Sequence, residues 1–235
     1  RYYRPNNSAL LVSGDIDPEQ IFGMAEEIFG DWPAGKDPFV KHPVPQPEPL
    51  TGNSALIVNR PVRTVTVLMQ MRGPSVTIDP KATFAADVFS YILQQRNSTF
   101  HKNLVDSGLV TQATMGYYTQ AHIGPIYIQM VTTPEKIKDA VAALYREIDR
   151  FTDPDYYIDD QLEIAKALFE SGEIYGREKP SEFVHTVSFW WAVTGLDYYL
   201  NYIDSLRAVT RQDIAGYLNT YVIGKPFVVG ALLSA

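Results

Sequence analysis

The chain opens with Arg1-Tyr-Tyr-Arg-Pro-Asn-Asn-Ser-Ala-Leu-Leu-Val-Ser-Gly-Asp-Ile-Asp-Pro-Glu-Gln20, and Ile28-Phe-Gly-Asp-Trp-Pro33 closes the same segment. The short apolar run within Ser8–Ser13 is typical of a buried strand. Asp17 and Pro18 then stand as the N-cap and first residue of a helix, and Gln20 completes a pattern like a capping box. The segment therefore predicts a strand followed by an amphipathic helix that Gly30 ends.

This strand and helix have no earlier segment of the chain to pack against. A strand needs a neighbour to satisfy its backbone hydrogen-bonding groups. We therefore expect the chain to be a piece of a longer protein, with residues 1–33 as the end of one of its domains.

Composition restricts the classes of function. The chain has 235 residues, 46% of them hydrophobic, which is enough for a large domain with a packed core. The formal net charge is −7 and no basic stripe is present, so nucleic acid is not expected as a partner. No apolar run is long enough to span a membrane. Because cysteine is absent, disulfides and thiolate zinc sites are excluded.

Prolines divide the chain. Proline fits neither a helix interior nor a central strand, so a cluster of prolines predicts an extended linker over residues 34–53. The cluster consists of Pro38, Pro43, Pro45, Pro47 and Pro49. A second domain is therefore expected over residues 54–235.

The second domain has the pattern of an α+β fold. Strand patterns cover Ala55–Asn59, Thr64–Met71, Val110–Thr119, Pro125–Thr132 and Phe227–Leu233. Asp79 is the expected N-cap of a helix over 80–95, and Gly108 the expected left-handed cap that ends a short helix over 99–106. Further helical patterns cover 133–151, 155–175, 181–193, 196–208 and a last helix capped by Thr210 and Asp213. This order favours an antiparallel-rich mixed sheet with helices packed on one face.

The histidines do not have the spacing of a metal site. They are His42, His101, His122 and His185, and no two lie within five residues of each other. A zinc site on a helix needs closer spacing, as in His-x-x-Glu-His. We interpret His42 and His122 as solvated residues, and His101 and His185 as structural residues of helices.

Acidic residues cluster around the start of the helix predicted over 155–175, where a calcium loop is one possible interpretation. The cluster consists of Asp153, Asp155, Asp159, Asp160 and Glu163. A calcium loop needs alternating oxygen ligands and a central glycine, and the cluster lacks both. We interpret Asp153 or Asp155 as a helix cap.

Two groups of aromatic residues could form binding surfaces. Phe189-Trp-Trp191 with Tyr198-Tyr199 fits a binding platform, although a partly buried helix junction is favoured. Tyr117, Tyr118 and Tyr127 fit either a peptide groove beside a sheet edge or cross-strand packing.

Several short sequence segments are similar to segments of the pitrilysin/insulinase-like zinc peptidases, a family that includes the mitochondrial processing peptidases. Those that resemble the end of the family's first domain are Tyr3-Arg-Pro-Asn-Asn7, Leu11-Val-Ser-Gly-Asp-Ile-Asp17 and Phe29-Gly-Asp-Trp-Pro33. Those that resemble its second domain are Arg63–Gly73, Ser98–Leu109 and Thr210-Arg-Gln-Asp213 with the final apolar strand.

The resemblance implies a clamshell of two homologous domains. In the family, a His-x-x-Glu-His helix of the first domain binds zinc, and its glutamate activates the attacking water. That part would lie before Arg1, so the resemblance implies no cofactor in this chain and zinc in the missing N-terminal part. The second domain closes over the peptide, and this chain alone is predicted to be inactive.

In many family members the second domain supplies an arginine and a tyrosine seven residues apart, which help to stabilise the charge on the attacked carbonyl. Here the resemblance places Leu104 and Thr111 at those two positions. Leucine has no hydrogen-bond donor and threonine is shorter than tyrosine. We therefore expect no oxyanion stabilisation from this pair.

The sequence thus predicts the C-terminal, non-catalytic part of a bacterial zinc-dependent peptidase, forming one wall of a peptide-enclosing chamber. Its expected partners are the zinc-bearing N-terminal domain of the same protein, a homologous second subunit, and extended peptide substrates. Similar bacterial proteins imply a periplasmic location. The alternative is a scaffold or peptide-binding module of the same fold, with no peptidase activity in the parent.

Overall fold

A five-stranded sheet organises the part of the chain that the computed structural model describes, residues 2–234. Its strands are β1 (Ser54–Arg60), β2 (Val65–Arg72), β3 (Gln112–Tyr117), β4 (Pro125–Thr132) and β5 (Phe227–Ser234). Their order is β1-β5-β2-β4-β3. β1 and β5 are parallel, and the other neighbours are antiparallel. The predicted antiparallel-rich mixed sheet is confirmed, with the final strand in an internal position.

Helices precede, separate and follow these strands. They are α1 (Pro18–Phe29), α2 (Pro38–Lys41), α3 (Pro80–Gln94), α4 (Thr99–His101), α5 (Ile137–Arg150), α6 (Asp159–Gly176), α7 (Pro180–Val193), α8 (Leu196–Leu200), α9 (Tyr202–Arg207) and α10 (Arg211–Tyr221). A 3-10 turn, Pro5–Asn7, precedes α1, and a π-helical turn, Lys102–Asp106, continues α4. The helix predicted over 196–208 is two helices that meet at Asn201.

Alternating burial separates the two faces of the sheet. In β2, Val65, Val67, Met69 and Met71 are at most 4% exposed. Successive side chains of a strand point to opposite faces, so the residues between these four lie on the other face, where they are more exposed. β4 repeats the alternation. Helices therefore pack on one face, and within residues 2–234 the second, which we call the open face, has no such covering layer.

The core lies between the covered face and α3. Phe89 of α3 is 0% exposed, and its ring centroid lies 5.1 Å from that of Phe151. Beside Phe151, the Tyr156 hydroxyl donates a 2.6 Å hydrogen bond to Glu147, and the Asn103 amide donates to the other oxygen of this carboxylate. The buried carboxylate of Glu147 is thus hydrogen-bonded, which offsets the cost of removing it from water.

Three helix starts and one helix end agree with the predicted capping residues. Asp17 and Asp79 accept hydrogen bonds from first-turn N–H groups of α1 and α3. Thr210 and Asp213 form a reciprocal capping box at α10. Gly108 has a φ of +75°, a left-handed conformation that glycine adopts without steric cost.

The predicted strand at Ser8–Ser13 is wrong for the part of the chain that the structure describes. No strand forms there, and residues 9–13 make no backbone hydrogen bond to any residue of 2–234. Leu10 and Val12 are 60% and 43% exposed. A strand exists only through hydrogen bonds to a neighbouring strand, and residues 2–234 place none beside this segment.

The helix after this segment forms as predicted, but its apolar stripe is not covered. Phe22, Met24 and Ile28 of α1 are 71%, 48% and 65% exposed. The segment predicted to be a linker is irregular over most of residues 34–53, yet it contains α2, which Pro38 begins. Proline is accepted at the first helical position because the N–H there has no partner within the helix.

The acidic loop also differs from the prediction, because neither Asp153 nor Asp155 caps a helix. The N-cap of α6 is Ile158. The loop turns before that point and brings Tyr156 into the core, where it is 2% exposed. The start of the helix is therefore displaced toward the C-terminus, and Asp153 instead forms a 3.1 Å ion pair with Arg150.

Phe89, which is buried, and Phe22, which is exposed, allow the assigned core to be tested. We expect Phe89→Ala to lower the free energy of unfolding by about 3–5 kcal/mol, because it removes a fully buried ring and leaves a cavity. The matched change Phe22→Ala is expected to alter it by less than about 0.5 kcal/mol, because that ring is exposed. Urea denaturation followed by circular dichroism measures both. Equal losses would contradict the assigned core.

Candidate functional site

The open face of the sheet carries side chains that no helix among residues 2–234 buries as it buries those of the other face. Strand register places Thr114 of β3 opposite Gln129 of β4, and Gln129 opposite Leu68 of β2. One step along the strands on this face, Tyr127 lies opposite Gln70. Amide and hydroxyl groups thus stand side by side across three strands, around one aromatic ring.

Tyr127 is fixed on this face by a close approach to a glycine. A Cβ atom at Gly116, its partner on β3, would lie 2.4 Å from the ring carbon Cζ of Tyr127. Any larger side chain at position 116 would force this ring to move. The glycine therefore lets the tyrosine lie across the neighbouring strand, as aromatic rings do over glycines in antiparallel sheets.

Two strands have a neighbour on one side only. Among residues 2–234, β1 pairs with β5 alone, and β3 pairs with β4 alone. The outer side of an edge strand carries backbone N–H and C=O groups that can pair with another extended chain. β3 is the edge adjacent to Tyr127, so this part of the sheet offers both backbone and side-chain contacts.

The structure does not bring the three predicted groove tyrosines to one face. Tyr127 lies on the open face, but Tyr117 points to the covered face, where its hydroxyl donates a 3.0 Å hydrogen bond to the Pro74 carbonyl. Tyr118 follows the end of β3 and is 50% exposed, with its ring 5.9 Å from that of Phe189. Of the three, Tyr127 alone faces the open surface within a strand.

Leu104 and Thr111 present no free donor to solvent. Leu104 lies in the π-helical turn and is 0% exposed, so it is a core residue. The Thr111 hydroxyl donates a 3.2 Å hydrogen bond to the Val131 carbonyl. The positions that the family resemblance assigned to an arginine and a tyrosine therefore serve packing and sheet pairing here.

The histidines lie in separate places. His101 Nδ1 is 3.3 Å from an oxygen of Asp106, but the geometry is not that of a hydrogen bond. His122 lies between β3 and β4 and lines a cavity at the end of β2. Within residues 2–234, no group of three or more His, Cys, Asp or Glu side chains could hold a metal ion. No helix in that range is long and apolar enough to cross a membrane.

The aromatic residues of α7 form a helix junction rather than an exposed platform. The ring centroid of Trp190 lies 5.4 Å from that of Tyr198 and 5.0 Å from that of Tyr202. Tyr198 also stacks on Phe84 of α3 at 4.9 Å. These contacts join α7, α8 and α9 to α3, so the favoured interpretation is confirmed.

Beside this junction lies an acidic residue that sequence reasoning missed. Asp87 of α3 accepts a 2.7 Å hydrogen bond from the Tyr202 hydroxyl. Burial raises its pKa to about 7, although the bond from Tyr202 acts in the opposite direction. The signal in the sequence is a single charged residue within the apolar run Ala85-Ala-Asp-Val-Phe89 of a helix.

The other ionisable groups near Asp87 are tyrosines that burial keeps neutral. Burial is the main cause that raises the pKa of Tyr91, Tyr117, Tyr198, Tyr202 and Tyr217. The Tyr217 hydroxyl is buried without a hydrogen-bond partner among the described residues. Asp87 is therefore the group of this cluster that changes charge near neutral pH.

The raised pKa of Asp87 predicts a loss of stability as pH rises. The folded protein keeps this proton to about pH 7, whereas the unfolded chain releases it near the ordinary pKa of 3.8. The folded state then binds more protons in this window, so the free energy of unfolding falls as pH rises, by at most about 1.4 kcal/mol per pH unit.

Urea denaturation across this pH window measures the effect. Asp87→Asn is expected to lack this part of the pH dependence because its amide does not titrate. Asp139→Asn, an exposed change on α5, is expected to keep it. The assignment fails if the Asp87 variant and the unchanged protein lose stability in parallel.

The N-terminal segment contributes two apolar cavities. One, of about 450 Å³, lies between residues 10–25 and α7, and its lining includes Leu10, Phe22 and Phe183. The second, of about 590 Å³, is lined by α1 and the preceding turn and includes Phe29 and Trp32. Together with the exposed stripe of α1, they form an apolar surface at this end of the molecule.

Comparison with protein families gives one match. A family model described as the peptidase M16 inactive domain matches residues 1–168. A search of curated proteins found no match.

Solved structures share this fold at low sequence identity. A protease from Helicobacter pylori has a TM-score of 0.82 at 18% identity, with 98% of this chain and 56% of that chain covered. A peptidase M16 inactive domain from Pseudomonas fluorescens has a TM-score of 0.73 at 16% identity, with 94% of this chain and 52% of that chain covered. The periplasmic protease PqqL from Escherichia coli has a TM-score of 0.70 at 12% identity, with 94% of this chain and 25% of that chain covered. This chain thus spans about half the length of the first two and a quarter of the third.

Proposed function

Since the chain belongs to the peptidase M16 inactive-domain family, we propose that it is the C-terminal, non-catalytic part of a bacterial zinc-dependent peptidase. In this proposal, the open face of the sheet is one wall of a chamber that encloses peptides. The observation that carries it is a five-stranded sheet with helices on one face only. An uncovered sheet face next to a free edge is a surface that an extended peptide can use.

The chemistry of the open face suits substrates of varied sequence. Its central residues are uncharged, and Gln70, Thr114 and Gln129 carry hydrogen-bonding groups. Such groups can bond to a peptide backbone, which every substrate has. Tyr127 adds an apolar surface with a polar end, which suits an apolar substrate side chain.

The apolar surface formed by α1 and the segment before it supports an N-terminal domain as partner. Exposed Phe22 and Ile28 would be buried by such a domain, and the unpaired backbone of residues 9–13 would gain strand neighbours. This agrees with a division into the end of a first domain over residues 1–33, a linker over 34–53 and a second domain over 54–235. A homologous second subunit is the further candidate partner.

The zinc chemistry of this proposal belongs to the N-terminal part. Within residues 2–234, no group of three or more His, Cys, Asp or Glu side chains could hold a zinc ion. Leu104 has no donor for an oxyanion, and the Thr111 hydroxyl already donates to the Val131 carbonyl. We therefore derive no catalytic step for this chain, and assign to it the enclosure and alignment of the peptide. A periplasmic location is part of the same proposal.

Leu104 and Thr111 occupy the positions where many family members have an arginine and a tyrosine. Their presence favours the second candidate, a scaffold or peptide-binding module whose parent has no peptidase activity. Both candidates use the open face, so peptide binding does not separate them. Peptide cleavage by the complete protein distinguishes the two candidates.

Zinc content and cleavage of a quenched unstructured peptide are the first test. The purified 235-residue chain is expected to bind no stoichiometric zinc and to cleave nothing, whereas the full-length parent is expected to hold zinc and to cleave in a chelator-sensitive manner. Zinc-dependent cleavage by this chain alone would overturn the assignment. A full-length parent without zinc and without cleavage would favour the scaffold.

The role of the open face is tested by peptide binding to this chain. We expect Tyr127→Ala to weaken the binding of an unstructured peptide roughly tenfold, because buried aromatic contacts dominate such interfaces. Tyr145→Ala is the matched control, since Tyr145 lies on α5 and is 40% exposed. Fluorescence anisotropy of a labelled peptide gives both affinities. Equal losses in the two variants would remove the open face from the proposal.

A further inference from the structure

A groove of about 350 Å³ lies where β2 ends, and Arg72, one of its lining residues, follows Gln70 on the open-face side of this strand. Its walls come from the linker, from the segment that follows β2, from the β3–β4 connection and from the residues before β5. The linker is held here by Arg72, whose Nη1 donates a 2.6 Å hydrogen bond to the Pro47 carbonyl. The groove is therefore built from four separate segments, and one of them is the linker.

The charged side chains that line this groove are all basic or imidazole. They are Arg72, Lys225 and His122, and no carboxylate lines it. This is unusual for a chain whose net charge is −7. Arg72 has further N–H donors besides the one that bonds Pro47. The Lys225 ammonium has no hydrogen-bond or ion-pair partner among residues 2–234.

Two acidic residues adjoin residues that line the groove, and neither is part of its lining. Asp79 contacts the groove residue Tyr221, but it accepts a 2.9 Å bond from the Tyr221 hydroxyl with one oxygen and caps α3 with the other. Glu48 lies in the linker beside Pro49, and its side chain is not part of the lining. Two cationic side chains therefore face the groove without an acidic partner in its walls.

Apolar side chains line the same groove beside these charges. Leu50 and Ile78 are 36% and 78% exposed, and Ile123 completes this part of the lining. Exposed aliphatic groups gain free energy when a ligand covers them. The ligand that matches both halves of the groove carries an anionic group next to an apolar one.

We propose that this groove binds the C-terminus of a peptide whose last residue is apolar. The terminal carboxylate would accept hydrogen bonds from Arg72 and Lys225, since an arginine fork and an ammonium are strong donors to carboxylates. The last side chain would cover Leu50 and Ile78. An aspartate or glutamate side chain offers the same carboxylate chemistry, so the test separates the two sources. The inference concerns binding by this chain itself and does not depend on the activity of a parent protein.

The test uses labelled Gly-Ser peptides that differ only at the C-terminus, titrated with the 235-residue chain and followed by fluorescence anisotropy. The probes are a peptide ending in leucine with a free carboxylate, the same peptide amidated, and an amidated peptide with glutamate before the leucine. We expect the free acid to bind roughly tenfold more tightly than the amide, the size of effect that a charged hydrogen bond gives. The glutamate peptide is expected to bind like the amide.

Substitutions then assign the effect to the groove. Lys225→Gln and Arg72→Gln are each expected to reduce the preference for the free acid, and Lys138→Gln on the exposed side of α5 is expected to retain it. Thermal unfolding followed by circular dichroism verifies that each variant is folded; Lys225 is exposed, so its variant remains informative if the Arg72 variant is destabilised. Equal binding of acid and amide overturns the proposal, as does a preference that persists in Lys225→Gln. Tight binding of the glutamate peptide would overturn the assignment to a chain terminus.

Discussion

The alternation of buried and accessible side chains along β2 and β4 is the constraint on which the rest of the structure depends. The two strands pair in register from Val65 opposite Thr132 to Arg72 opposite Pro125. A shift of one residue would move every buried side chain to the solvent. Because this register is fixed by the apolar residues on one face, the helices must all be placed there. The same register lines up Gln70, Tyr127 and Gln129 on the opposite face, so the proposed peptide surface is a consequence of core packing.

The covered face is not purely apolar, and its polar groups have different consequences. Glu147 is hydrogen-bonded by Tyr156 and Asn103, and this network joins the end of α5 to the π-helical turn. Asp87 has one strong partner, Tyr202, among several tyrosines that stay neutral. The first carboxylate is satisfied by two donors, whereas the second is left with a raised pKa. The junction of α3 with α9 is thus the place where the stability of the core is expected to respond to pH.

The three surfaces proposed for binding come from different parts of the fold. The apolar side of α1 suits another domain, the open face suits the middle of an extended peptide, and the basic groove at the end of β2 suits a carboxylate. They differ in chemistry because they arise from different constraints. The first is an amphipathic helix without a covering layer, the second is the rear of a half-buried sheet, and the third depends on Arg72 holding the linker at Pro47. Family membership supports the first two together, and the third follows from this chain's own residues.

The sequence by itself determined the features that depend on local chemistry. Alternating apolar residues predicted β2, and a mostly apolar run predicted β5. Asp79, Thr210 and Asp213 predicted helix starts, Gly108 predicted a left-handed turn, and the opening segment pointed to the family that residues 1–168 match. Tertiary structure decided what depends on distant partners. Ser8–Ser13 has the composition of a strand but no neighbouring strand within residues 2–234. Asp153 pairs with Arg150 because the loop turns to bury Tyr156, and Tyr117 and Tyr127 lie on opposite faces. Arg72, His122 and Lys225 are far apart in sequence, and they share a groove only because the sheet brings its strand ends together.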